Sequence, residues 1–183
     1  MSLLRPFSKL PELNMANVLL VGNDDTFQHV LADAIVKQEN NVNVNVRLAR
    51  TLPLPAENED SRPRIDLVVL IVNLRSELSL SSTETSLKHL DTGFFLGKVC
   101  FLVTGARCTS VPHERLASLR KIAVSLHCPL LFTEDQTAKG ISAAAGRVLN
   151  ILRVSAGLVP LATGLGLSTL IRCSLPPDLD CQD

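Results

Sequence analysis

Tryptophan and tyrosine are absent from this 183-residue chain, and aromatic side chains make up only 3% of it. That scarcity disfavours modules that read bases or sugars on stacking platforms. Charge of one sign is missing too: 18 Lys and Arg balance 18 Asp and Glu. A bulk electrostatic grip on DNA or on an anionic membrane needs an excess of positive charge, so neither is expected as a direct partner. The five cysteines (Cys100, Cys108, Cys128, Cys173, Cys181) are odd in number and form no CxxC pair. They read as free thiols in a reducing compartment, not as a disulfide framework or a zinc site. The opening residues MSLLRPFSKLP hold no long apolar run. No secretory signal is read there, and a cytosolic or nuclear protein is expected.

What is present is apolar: 46% hydrophobic residues against 20% charged, the profile of a globular domain. At this length the expectation is one domain whose core needs no metal or disulfide. Residues 1–14, broken by Pro6 and Pro11, read as an arm, 15–172 as the domain, and 173–183 as a tail. Ala16–Gly22 is a short apolar run ending in glycine, the pattern of a buried parallel strand. Phe27, Val30, Leu31, Ala34 and Ile35 follow helical spacing over Thr26 to about Glu39. Asn41–Ala49 alternates, with Val42, Val44, Val46 and Leu48 on one face, as a strand near a sheet edge does. The alternation is compatible with either strand direction, parallel or antiparallel.

Arg50–Arg64, with three prolines and the acids Glu57, Glu59 and Asp60, reads as a solvated loop. Ile65–Leu74 is the most apolar run and the expected central strand. Ser81 followed by Glu84 has capping-box spacing, which predicts a helix from near Ser82 to about Leu90. Lys98–Gly105 and Cys128–Thr133 read as strands. Helices are expected after Ser110, Pro112 and Glu114, with a stripe of Leu116, Leu119, Ala123 and Leu126, and again from about Gln136 until Gly157 and Pro160. Strands alternating with helices predict a three-layer α/β fold, a mostly parallel sheet covered on both faces.

Ligands in such folds gather at the carboxyl ends of the strands. A phosphate-binding loop there needs GxxxxGK[ST]. The segment begins at Gly22, but Phe27 stands at the second glycine, Gln28 at the lysine and His29 at the hydroxyl residue. Asp24 and Asp25 put negative charge beside the helix N-terminus, where they satisfy its dipole and repel phosphate. No DxxG follows the second or third strand, and the guanine-reading NKxD position holds Thr104-Gly105-Ala106-Arg107. A receiver-type magnesium site could use two such aspartates. It also needs an Asp after the central strand and a Lys after the last, where Asn73 and Thr133-Glu134-Asp135 stand instead. His29, His89, His113 and His127 lack metal-ligand spacing, no GxSxG occurs, and Cys100 and Cys128 read as core thiols. No catalytic residue, metal or cofactor is expected.

Surfaces are then the place to look for function. Gly93–Gly97 places Phe94, Phe95 and Leu96 together between glycines. Val154–Ile171 carries no charge at all and includes Leu165, Leu167, Leu170 and Ile171. An exposed apolar patch usually marks an interface. A membrane tail anchor is the competing reading of the second segment, which is short for a span and interrupted by Pro160 and glycines.

Several stretches carry a resemblance: LRPFSKLP, NVLLVG, RPRIDLVVLIVNL, TETSLKHLDTGFFLGKVCFLVTGA and AGLVP followed by LSTLIR. Together they span Leu3 to Arg172 and resemble the centromere protein M family of the inner kinetochore. The resemblance implies a small-GTPase-like fold with a degenerate nucleotide site that binds no nucleotide. It implies a non-catalytic structural subunit in the nucleus, at the centromere and kinetochore, partnered with centromere proteins I, H and K. On this reading Phe94, Phe95, Leu96, Leu165, Leu167, Leu170 and Ile171 are interface candidates chosen from their apolar character. The alternatives are an atypical nucleotide-binding switch and a tail-anchored α/β protein.

Overall fold

A computed structural model describes residues 3–6, 8–39, 41–55, 62–108 and 111–165. The elements run β1 (Met15–Val21), α1 (Asp25–Gln38), β2 (Asn43–Ala49), β3 (Leu67–Asn73), α2 (Glu77–Leu87), a 3-10 turn (Thr92–Phe95), β4 (Val99–Thr104), α3 (His113–Ser125), β5 (Leu130–Phe132) and α4 (Ala138–Ser155). The strands form one sheet in the order β2-β1-β3-β4-β5, parallel throughout. The direction of the second strand is thereby settled: it runs parallel to β1, with Met15 opposite Asn43 and Val21 opposite Ala49.

The apolar runs become buried strands because the sheet is covered on both sides. Alternate residues of β1 and β3 feed two different cores. Val18, Leu20, Val69 and Ile71 pack with Phe27, Leu31 and Ile35 of α1 and with Ala144, Ala145, Val148 and Leu152 of α4. Leu19, Val21, Val68, Leu70 and Val72 pack on the other face with Leu119 and Ala123 of α3. Leu4, near the start of the chain, joins this second core and pairs with Leu90. The edge strand β2 is buried on one face only, where Val44, Val46 and Leu48 lie against the first core.

The winding fixes where a site can form. The chain goes from β1 outward to β2, then returns past β1 to β3 and continues through β4 to β5. The strand order therefore reverses between β1 and β3, and a crevice opens at their carboxyl ends. This is the expected three-layer α/β fold in a small-GTPase-like arrangement.

One element differs from the sequence expectation. The second helix starts at Glu77, with Ser76 at its cap position, and ends at Leu87. The capping-box pair Ser81 and Glu84 lies inside it. The buried face of α2 consists of Ser79, Thr83 and Ser86. These hydroxyls are satisfied by backbone: Ser79 Oγ accepts from Asn73 N–H at 2.9 Å, Ser86 Oγ accepts from Leu52 N–H at 3.1 Å, and Thr83 donates to Ser79 O at 2.8 Å.

Candidate functional site

At the switch point lies an open depression of about 410 Å³. The β1–α1 loop supplies Asn23 and Asp24, the first turn of α1 supplies Asp25, and the ends of β3 and β4 supply Asn73 and Thr104. This is where a nucleotide phosphate would bind in a fold of this kind. Two of the three residues standing in for the missing phosphate-loop chemistry, Phe27 and Gln28, are committed elsewhere in the fold.

Gln28 is 2% exposed. Its side-chain amide donates to Ala49 O at 2.9 Å and to Leu20 O at 3.3 Å, tying α1 to the ends of β1 and β2. Phe27 points into the first core. Asp24 caps α1, its carboxylate accepting from Phe27 N–H at 3.0 Å. Asp25 pairs with Arg50, whose guanidinium holds the Asp25 carboxyl below its usual range. Asp24 is therefore the N-cap, and Asp25 puts its charge in the first turn of α1, as the dipole expectation requires. Gly22 stays close to β3: a Cβ there would stand 2.9 Å from Ile71 Cβ. His29 is exposed.

The rim is neutralised in the same manner. Arg75 pairs with Asp135 and Arg107 with Glu134, so the segment in the guanine-reading position is tied to the loop after β5. Arg115 donates to Leu74 O at 3.0 Å and approaches Glu77 at 3.7 Å. Among the described residues no group of three or more His, Cys, Asp or Glu is arranged to hold a metal ion. Cys100 and Cys128 are buried, and burial pushes both thiols up, Cys128 to about 12. They belong to the two cores.

The apolar candidates separate. Phe94 is fully buried in the second core, so as a candidate for an outer surface it is corrected: the 3-10 turn directs its ring inward. Phe95 is half-buried against the same core. Leu96 is 58% exposed and Leu165 60% exposed. Leu167, Leu170 and Ile171 lie outside the described residues. Among the described residues no helix is long and apolar enough to cross a membrane. Sequence reasoning missed Lys98, which is 8% exposed and donates from Nζ to Ser155 O at the end of α4. A lysine between a glycine and a buried strand was the signal available.

Fold and site together define a small-GTPase-like α/β domain whose open crevice lacks the glycine, lysine and hydroxyl residues of a phosphate-binding loop. The family model for Centromere protein M (CENP-M) matches residues 1–174. Centromere protein M of Danio rerio is 62% identical over 180 residues, covering 98% of this chain and 97% of that protein. Centromere protein M of Homo sapiens is 43% identical over 180 residues, covering 98% and 99%. The chain belongs to the centromere protein M family.

Proposed function

We propose that this protein is a non-catalytic scaffold of the inner kinetochore, a pseudo-GTPase that binds and stabilises centromere protein I in an assembly with centromere proteins H and K. It acts in the nucleus, at the centromere, and supports chromosome segregation. The observation that carries the reading is Gln28: the residue at the phosphate-binding lysine position is buried and spends its amide on two backbone carbonyls. The neutral composition supports an indirect route to chromatin through other proteins. The partner surface is apolar and includes Leu96 and Leu165, extending to Leu167, Leu170 and Ile171.

Two experiments test this. Leu165→Glu should abolish co-purification with centromere protein I while the isolated chain stays folded; stoichiometric co-purification of the mutant refutes the interface. Titration of fluorescent GTP with and without magnesium should give no saturable binding. A site with a dissociation constant of about 10 μM, given 1 mM nucleotide, would add about 2.7 kcal/mol of stability. That is a rise of about 5–11 °C in melting temperature for a domain of this size. A rise of that order would instead establish a nucleotide-binding switch.

A further inference from the structure

We propose that the end of α4, the loop 93–98 and the segment 157–165 form a clamp that presets the apolar partner surface before any partner arrives. The proposal rests on the interface reading above and adds how that interface is held in shape.

Three contacts make the clamp. The first is Lys98, whose Nζ donates to Ser155 O. Ser155 is the last residue of α4, where carbonyls have no intrahelical partner and the helix dipole is negative. The second is the Ser155 hydroxyl, 2.8 Å from both Gly97 O and Ile151 O. These two contacts fasten the loop bearing Leu96 to the helix end.

The third contact is made by backbone alone. After α4 the chain turns back: Gly157 N–H donates to Val154 O at 3.1 Å, and Leu158 N–H donates to Arg153 O at 2.8 Å. Gly157 adopts φ +77°, the left-handed conformation this turn requires. Leu158 packs on the first core, and the segment then runs to Gly164, which meets Gly97. A Cβ on Gly97 would stand 2.5 Å from Gly164 Cα, and one on Gly164 would stand 2.8 Å from Gly97 O. Neither side of the contact has room for a rigid side chain.

Leu96 and Leu165 are the immediate neighbours of these two glycines. Their separation is therefore set by a backbone contact inside the monomer. A preset surface avoids the ordering cost that two independent loops would incur on binding. Opening the clamp should weaken binding although no residue of the surface has changed.

The test is hydrogen exchange read by mass spectrometry on the full chain, with binding to centromere protein I measured alongside. Gly164→Val forces the segment off Gly97. Lys98→Met removes the Nζ contact from a buried position, away from the partner surface. Both should speed exchange of amides in 157–165 about tenfold, leave the middle of α4 protected, and weaken partner binding about tenfold. Unchanged exchange in 157–165 in both variants overturns the clamp. Faster exchange with unchanged affinity overturns its role in presetting the surface. Leu165→Glu leaves the clamp intact and reports separately whether the interface reading itself has failed. If Lys98→Met does not fold, Gly164→Val alone carries the exchange test.

Discussion

Replacing Gln28 with methionine tests whether the residue at the phosphate-loop lysine position is a structural joint. Methionine keeps the length and nearly the volume of the side chain but removes the amide. Two hydrogen bonds disappear, to Ala49 O and Leu20 O. At about 1 kcal/mol of net stability each, the loss is about 2 kcal/mol. The Ala49 carbonyl keeps a second donor, Gly22 N–H at 3.0 Å, which limits the damage at that end. Gln28→Ala should cost more, about 3–4 kcal/mol, because a buried methylene is also lost and a cavity left. Equilibrium urea unfolding measures both, and the methionine variant should melt about 4–8 °C below the parent chain. A methionine variant within about 0.5 kcal/mol of the parent would refute the reasoning. Gln28 would then merely be buried beside the loop, and its amide would not be a structural joint between α1 and the ends of β1 and β2.

Three other outcomes follow from the same structure. Glu39 is buried, which raises its carboxyl, but the N–H of Asn41 and the guanidinium of Arg153 outweigh that and hold it below 4.5. The unfolded chain therefore takes up a proton first as pH falls, so this stability is present above about pH 4.5 and is lost through the folded-state titration below it. Glu39→Gln should flatten the acid limb of a stability-against-pH curve, and an unaltered limb would exclude the assignment. Alkylation followed by peptide mapping should label Cys108 in the native protein, and Cys100 and Cys128 only in denaturant. Rapid native labelling of either buried thiol would contradict the packing. His127 follows the C-cap of α3 at φ +53°, with Cys128 N–H donating to Ala123 O at 2.9 Å. His127→Gly should raise stability by about 0.5–1 kcal/mol, since a glycine there carries no left-handed strain. Thermal unfolding of that variant checks it.

The sequence was most legible where hydrophobic period and burial coincide. β1, β3 and β4 are buried on both faces, so each appears as a near-continuous apolar run, interrupted inside β1 by the buried Asn17. β2 alternates because it is an edge strand with one face in solvent. α2 was misplaced for a physical reason: its packed face is Ser79, Thr83 and Ser86, and hydroxyls satisfied by backbone leave no apolar period to follow. The Phe94–Leu96 triplet was legible as apolar but not in orientation. A 3-10 turn advances about 120° per residue, so three adjacent side chains point in three directions. One entered the core, one lies against it, and one faces solvent. Lys98 escaped notice because its partner, the Ser155 carbonyl, lies 57 residues away and is a backbone group that no side-chain pattern announces.

The balanced composition acquires a local meaning at the carboxyl edge of the sheet. Arg50, Arg75, Arg107 and Arg115 all reach that edge, and each faces a carboxylate of the same chain. Exposed pairs of this kind add little stability, about 0–1 kcal/mol apiece. Their consequence is electrostatic: a phosphate arriving there would have to break an existing pair to gain a cation, and it would meet Asp24 and Asp25 on the way. The residues at this edge are engaged at two levels. Gln28 joins the backbone beneath it, and ion pairs neutralise the rim above it. Neither layer touches Leu96 or Leu165, which belong to the loop before β4 and the segment after α4. On the proposed reading, an apolar partner surface there is independent of the ion pairs at the carboxyl edge, so substitutions at one should leave the other unchanged.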